Sequence, residues 1–230
     1  MVILGINTNY SAPCKGFVSR IKGHMPEPRL VIATNNAGKV VEFRDLLDGC
    51  GWEVVAPADA SVSIDVEETG ATYAENARIK ARAFCEASGL PAIADDSGLE
   101  VDALGGDPGP LHHLHGWDGE NDTERIQILL DALKDVPEGE RSGRFYSVIV
   151  LALPDGGVIE EQGIVEGTIA FAPAGTSGWG YDPLFLLPDR GVTMAQLSER
   201  EKNRVSHRAI AFGRMRQRLQ AMANAQGGLS

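Results

Sequence analysis

The chain has 230 residues, 43% hydrophobic and 23% charged, enough for one large domain or two small lobes around an ordinary core. Its 21 basic residues against 32 acidic ones leave a net charge of −11. That disfavours a duplex nucleic-acid binder, which needs a basic face to release counterions, and favours a metal-assisted enzyme acting on a small molecule. No apolar run approaches the roughly 20 residues that span a bilayer, so no membrane partner is expected.

The first 28 residues read as an N-terminal extension, ending near Pro26 and Pro28. Val2, Ile3, Leu4 and Ile6 form a run too short for a signal-peptide core, so a cytoplasmic location is expected. Cys14, Cys50 and Cys85 lack CxxC spacing, which argues against a disulfide framework or a zinc site.

Residues 29–230 read as a single functional domain. Leu30 to Thr34 is a short continuous apolar run of buried-strand type. It meets Asn35-Asn36-Ala37-Gly38-Lys39, after which Val40, Phe43, Leu46 and Leu47 fall on one helical face and Gly49 and Gly51 end the helix. A helix N-terminus following a strand presents unpaired N–H groups to an anion, and Asn36 and Lys39 add a donor and a charge. The spacing is not that of a P-loop, and a polar turn capped by asparagine explains the same residues.

Glu53 to Ala56 suggests a second strand. Thr72 to Ser88 reads as a helix with Thr72 as cap and Glu75 three residues on. Asn76 and Lys80 stand four apart and share one face of it; Lys80 is either a phosphate ligand or a surface lysine. Pro91 to Ala94 is another buried-type strand, and Ser97-Gly98 permits a tight turn after it. Asp95-Asp96 at the strand's end suits Mg²⁺, which takes carboxylates, waters and phosphate oxygens. Adjacent strand residues point to opposite faces, so one of the two aspartates should face the cleft. Glu67-Glu68, taken alone, is a solvated loop.

Asp122 to Lys134 looks helical. Arg144 to Leu153 and Val158 to Ala170 look like two long strands joined at Pro154-Asp-Gly-Gly157. In Gly175-Thr-Ser-Gly-Trp-Gly-Tyr-Asp-Pro183 the glycines allow close backbone approach, Trp179 or Tyr181 can stack on a ring, and Asp182 can accept from it. Glu199 to Met222 reads as one long helix, softened at Gly213, with Lys202, His207 and Arg208 concentrating positive charge at its start. Ser206-His207 does not form a nucleophile and base, because adjacent residues do not converge as a triad does. The fold expected is α/β: an elongated mixed sheet flanked by helices, with two lobes and a central cleft.

These five motifs in this order resemble the inosine triphosphate pyrophosphatase family, Ala94-Asp-Asp-Ser-Gly-Leu99 and Ser206-His-Arg208 most specifically. The resemblance runs from about Leu30 into the last helix. It implies hydrolysis of ITP, dITP or XTP at the α-phosphorus, releasing pyrophosphate, by a Mg²⁺-dependent homodimer. By that likeness Asp96 is the catalytic base or metal ligand, and Glu67 its partner on Mg²⁺. Thr34, Asn35, Asn36, Lys39, Lys80 and Ser97 would hold the triphosphate. Trp179, Gly180, Tyr181, Asp182, Lys202, His207 and Arg208 would form the base pocket. Alternatives are a related enzyme for modified pyrimidine nucleotides, a nucleotide-binding regulator without catalysis, and a phosphohydrolase releasing orthophosphate. The family usually continues after Gly109 with a Tyr-Ser-Ala-Arg-like stretch. This chain has Pro110-Leu-His-His-Leu-His-Gly-Trp117, whose histidines either rim the cleft or hold a metal.

Overall fold

A computed structural model describes residues 27–112, 114–117 and 119–227. The extension expected over residues 1–28 therefore lies almost wholly outside the described residues, as do Cys14 and His113.

One seven-stranded sheet organises the chain. Strands β1 (Arg29–Ile32), β2 (Glu53–Val55) and β3 (Ala92–Val101) are followed by β4 (Ser142–Ala152), β5 (Val158–Ile169), β6 (Phe185–Leu187) and β7 (Val192–Thr193). Their order is β2-β1-β3-β4-β5-β6-β7. β1 runs parallel to both neighbours, and every later pairing is antiparallel. Helices α1 (Ala37–Leu46) and α2 (Tyr73–Ser88) supply the crossovers that parallel strands require, and α3 (Asp122–Ala132) links β3 to β4.

Alternation along the strands sorts the core. Val31, Ala92, Ala94, Val148 and Val150 face α2 through Ala77, Ala81 and Phe84. Leu30, Ile32, Ile93, Ile149 and Leu151 face the other way, against Phe43 of α1 and Phe212, Met215 and Leu219 of the last helix. A third core joins Leu99, Val101, Phe145, Ile169 and Phe185 to Leu129 and Leu133 at α3. β3 and β4 thus pass from one lobe into the other. Each fully buried Leu, Ile or Phe in these cores contributes roughly 1.5–3 kcal/mol. Arg141, itself fully buried, ties the second lobe together by donating to the carbonyls of Leu133 at the end of α3 (2.8 Å) and Ile169 at the end of β5 (2.8 Å).

Two expectations are corrected. The tight turn expected at Ser97-Gly98 is absent: β3 continues to Val101, because all ten of its residues find partners on β4, from Ala92 opposite Ala152 to Val101 opposite Gly143. The single long helix expected over Glu199–Met222 is two, α4 (Glu199–Val205) and α5 (His207–Gly227), and Gly213 lies within the second. The break falls at Ser206, which is extended (φ −70°, ψ 158°). Its hydroxyl accepts from the Ala209 N–H (3.1 Å), so a side chain that competes with helix backbone recaps the chain and starts a new helix.

The capping box at Thr72 and Glu75 forms as expected, and the turn after β4 closes at Gly156, whose φ is +91°. Cys50 and Cys85 are buried and unpaired.

Candidate active site

The cleft is set by unequal strand lengths. β1 pairs with β3 only as far as Ile93, with one further bond from the Ala33 N–H to the Ile93 carbonyl. The next bridge on that edge of β3 is Glu100 opposite Pro108. Between them the edge carrying Asp95, Asp96 and Ser97 is open, and a ligand crossing it meets side chains from both faces of the sheet.

On the α1/α5 face lies Asp95, its side chain fully buried. Its Oδ2 accepts from Arg208 Nε (3.1 Å) and Lys39 Nζ (3.3 Å), and its Oδ1 from the Ser147 hydroxyl (2.8 Å). Burial alone would raise the carboxyl's pKa, but Arg208, Lys39 and Lys80 overcome it and hold the group ionised far below the usual range. Arg208 also donates to the Ser97 hydroxyl (2.8 Å). Arg208 and His207 occupy the first turn of α5, and the Ser206 break aims them at the cleft. Gly163 of β5 lets that turn dock, since a Cβ there would lie 2.1 Å from the His207 carbonyl oxygen.

On the α2 face lies Asp96. Lys80 Nζ sits 3.5 Å from Asp96 Oδ1 and 2.6 Å from Glu68 Oε2. The Asn76 side chain also bonds Asp96, so the pair four apart on α2 does converge on one carboxylate. Burial, with Glu68 and Asp95 adding to it against Lys80, pushes Asp96 up to about 6. Both aspartates therefore border the open edge, each on its own face, where one cleft-facing carboxylate was expected. Glu68 is the glutamate that shares Lys80 with Asp96; Glu67, the one favoured from sequence, is exposed on the loop beside it.

At the β1–α1 junction, Asn36 caps the helix. Its side chain accepts from the Gly38 and Lys39 N–H groups, and the Thr34 hydroxyl accepts from Asn36 N–H. The Asn35 amide is directed elsewhere, donating to the Ile64 carbonyl (2.9 Å) and pinning the following loop. Of this motif, Lys39 reaches furthest into the cleft, and Glu42 of α1 lines the same cavity.

Beside this cleft a second cavity is lined by Phe145, Trp179, Tyr181, His207 and Arg208. Trp179 borders both cavities, and the Arg208 guanidinium lies 4.3 Å from its ring centre. Lys202 is buried and bonded to buried Asp182. Gly178, at φ +80°, makes room for that carboxylate: a Cβ there would lie 2.1 Å from Asp182 Oδ2. Gly180 N–H donates to Asp122 (2.8 Å), tying the loop to α3. The His207 ring stacks on Phe145 at 4.8 Å, and burial followed by the Arg208 charge holds it neutral, its pKa well below the usual value. Its Nδ1 is buried without a hydrogen-bond partner.

The histidine stretch separates. His112 lines the second cavity, whereas His115 pairs with Asp107 (2.9 Å) outside it. No group of three His, Cys, Asp or Glu among the described residues is placed to hold a metal. Sequence reasoning weighed Asp95 only as one of a pair with Asp96 and Glu68 only as part of a solvated loop, and it left out Ser147. Alternation along β3 carries the signal for Asp95; Ser147 is found only through strand register.

A two-lobed α/β protein with carboxylates and cations on both sides of an open strand edge, and an aromatic pocket alongside, is built for an anionic ligand that carries a ring. The chain belongs to the Ham1 family, whose model matches residues 30–218. It is 48% identical over 199 residues to the dITP/XTP pyrophosphatase of Symbiobacterium thermophilum, covering 86% of this chain and 98% of that one. Against the dITP/XTP pyrophosphatase of Thermus thermophilus it is 46% identical over 184 residues, covering 80% and 88%. The structure of a HAM1 protein from Coxiella burnetii aligns with a TM-score of 0.77 at 38% identity, covering 84% of this chain and 99% of that one. The Staphylococcus aureus Ham1 protein gives 0.76 at 37%, with the same coverages.

Proposed function

We propose that this protein is a nucleoside triphosphate pyrophosphatase that hydrolyses dITP, ITP and XTP to the monophosphate and pyrophosphate, with Mg²⁺. The observation that carries the reading is the open edge of β3, where Asp96 with Lys80 and Asp95 with Lys39 and Arg208 meet beside a ring-sized aromatic pocket. The family relationship supports it independently.

The residues fit a divalent cation. Burial first, with Glu68 and Asp95 adding to it, leaves Asp96 raised to about 6 despite Lys80, so a further positive charge beside its carboxylate is favoured there. Asp96 and Glu67 would hold Mg²⁺, leaving Glu68 on Lys80. When bound, the cation supplies Lewis acidity, polarising phosphate oxygens and acidifying a coordinated water.

The chain's own residues do the rest. Asp96 orients the water and takes its proton, and a carboxyl near 6 suits that work close to neutrality. The water oxygen bonds to the α-phosphorus, the bond to the bridging oxygen of the β-phosphate breaks, and pyrophosphate leaves with the electron pair. Lys39 and Lys80 flank the open edge from opposite faces, with Thr34, Asn36 and Ser97 beside them, and neutralise the phosphate oxygens as charge moves to the leaving group. Asn35 acts through the loop it pins. In the pocket, exposed Trp179 provides a stacking face for the base, neutral His207 stacked on Phe145 forms the inner wall, and the Asp182–Lys202 pair fixes the rim.

No helix among the described residues is long and apolar enough to cross a membrane. Buried, unpaired Cys50 and Cys85 suit a reducing compartment, consistent with a cytoplasmic enzyme. A homodimer follows from the resemblance, and equilibrium sedimentation tests it.

The deciding experiment incubates purified protein with ITP, dITP, XTP, dUTP and the standard nucleotides plus Mg²⁺ and identifies the products. Pyrophosphate from the purine substrates is expected. Orthophosphate release, a preference for dUTP, or no turnover of any purine overturns the reading. Asp96→Asn should abolish turnover while nucleotide binding survives, and an active Asp96→Asn enzyme removes Asp96 from its role.

A further inference from the structure

Trp179 borders both cavities, yet packing alone does not fix it: it is 48% exposed, with the Arg208 guanidinium 4.3 Å from its ring centre. Glycines with positive φ stand on both sides of it, Gly178 at +80° and Gly180 at +62°, so the local chain has wide conformational freedom. Two carboxylates take up that freedom. Asp182 accepts from the Trp179 N–H (3.1 Å) and is itself bonded to Lys202 of α4. Asp122 Oδ2 accepts from the next N–H, that of Gly180 (2.8 Å), across 58 positions of sequence. The stacking face is thus slung between α4 on one side and α3 on the other.

Asp122 lines neither cavity. It is the first residue of α3, where a carboxylate also suits the helix dipole, but the helix start is capped without it. Asn121 accepts from the Glu124 N–H (3.1 Å), and Glu124 accepts from the Glu120 N–H (2.8 Å). Asp122 Oδ1 lies 3.6 Å from Arg125 Nη1, beyond hydrogen-bond range. The bond from Gly180 is therefore what the placing of Asp122 serves. A group that holds a binding side chain in its bound position removes an ordering cost that the ligand would otherwise meet. Lys39, Lys80 and Asp96 stand on α1, α2 and β3, so the loss of this bond falls on the base and not on the phosphates.

We infer that Asp122 is a positioning residue for the base: through the Gly180 N–H it holds Trp179 where a purine ring stacks. It thereby sets affinity for the base and leaves the step at the α-phosphorus nearly untouched. This rests on the pyrophosphatase reading of the same site.

The test compares wild type, Asp122→Ala and Asp122→Asn in KM and kcat for ITP, in Kd for IMP by calorimetry, and in the Ki of inorganic tripolyphosphate, a probe of the phosphate side alone. Acrylamide quenching follows Trp179, since Trp52 and Trp117 are buried. Asp122→Ala should raise KM and the IMP Kd by about tenfold, the worth of a hydrogen bond to a charged group, with kcat and the tripolyphosphate Ki within about twofold of wild type. Quenching should increase with them. Asp122→Asn keeps an acceptor for Gly180 but loses the charge that Arg125 and the helix dipole feel, and it should recover a clear part of each loss. An unchanged KM in Asp122→Ala, equal losses on ITP and tripolyphosphate, or an Asp122→Asn no better than Asp122→Ala overturns the inference and leaves the pyrophosphatase reading intact. Should Asp122→Ala fail to fold, Asp122→Ser, whose oxygen stops one bond short of Gly180, replaces it and the same outcomes decide. Wild-type protein that cleaves no purine triphosphate overturns the underlying reading instead, and the quenching comparison alone then decides whether Asp122 holds Trp179.

Discussion

Arg208 Nε lies 3.1 Å from Asp95 Oδ2, joining the start of the last helix to the middle of β3 across 113 positions of sequence, with both side chains buried. This pair holds the two halves of the site in register, since Asp95 also takes Lys39 from α1 and Arg208 lies against Trp179. Breaking one partner of a buried pair strands the other charge, which costs about 3–5 kcal/mol. Asp95→Asn should therefore destabilise the protein by that order in urea unfolding.

The same pair predicts an acid response. The folded-state pKa of Asp95 is depressed, so its stabilisation is complete above its unfolded value, about 4, and disappears as pH falls below it. Asp96 works oppositely: its raised pKa favours the protonated form in the fold, so it gains stability as pH falls from about 6 toward 4. The difference between wild type and Asp95→Asn isolates the first effect. That difference should be constant above about pH 4 and shrink below it, and a pH-independent difference would contradict the assignment.

The fold was legible where local rules are strong: the capped helix at Thr72, the hairpin at Asp155-Gly156, and the apolar strands at Leu30 and Ala92. The β3 continuation was missed because Ser97-Gly98 has turn composition, whereas strand pairing is a long-range matter decided by β4. The Ser206 break was missed because its residues have ordinary helix propensity and the serine's capping role shows only in three dimensions. In the site, residue types and order pointed to Asp96, Lys80, His207 and Arg208. In sequence Asp95 and Asp96 are equivalent candidates for one cleft-facing carboxylate; that Asp95 is spent on Arg208, Lys39 and Ser147 appears only once the fold brings those partners together. Glu68 and Glu67 are one residue apart, and loop geometry, invisible in sequence, chooses which of them meets Lys80.

That choice is testable. If Glu67 holds the metal with Asp96 and Glu68 only offsets Lys80, Glu67→Gln should raise the Mg²⁺ concentration for half-maximal activity by about tenfold or more, as loss of a metal-site group does. Glu68→Gln should change it far less. The reverse order, measured by Mg²⁺ titration of initial rates, would transfer the ligand role to Glu68.

On the proposed mechanism Asp96 has to be ionised both to take the water's proton and to hold Mg²⁺. At limiting Mg²⁺, log kcat/KM should rise with pH at unit slope below about 6 and level off above it. Raising Mg²⁺ should move the bend to lower pH, because the metal and the proton compete for one carboxylate. A bend that ignores Mg²⁺ would assign the titration to another group.

Gly163 offers the most local test of how the site is held. A methyl group there would overlap the His207 carbonyl (2.1 Å) and the Ala211 nitrogen (2.7 Å), both backbone atoms that cannot rotate aside. α5 must therefore lift from β5, and its first turn carries His207 and Arg208. Overpacking of this kind costs about 1–3 kcal/mol. The shift also moves Arg208 away from Asp95, 3.1 Å from it in the native fold. Gly163→Ala should lower both the melting temperature and kcat/KM, the latter by more than the fraction of unfolded protein explains. Gly213→Ala is the control: nothing lies within 4 Å of a Cβ there, and alanine favours a helix interior. It should leave activity unchanged and raise stability slightly. If both variants behave alike in a combined thermal-melt and kinetic comparison, close docking of α5 on β5 is not what positions the pocket.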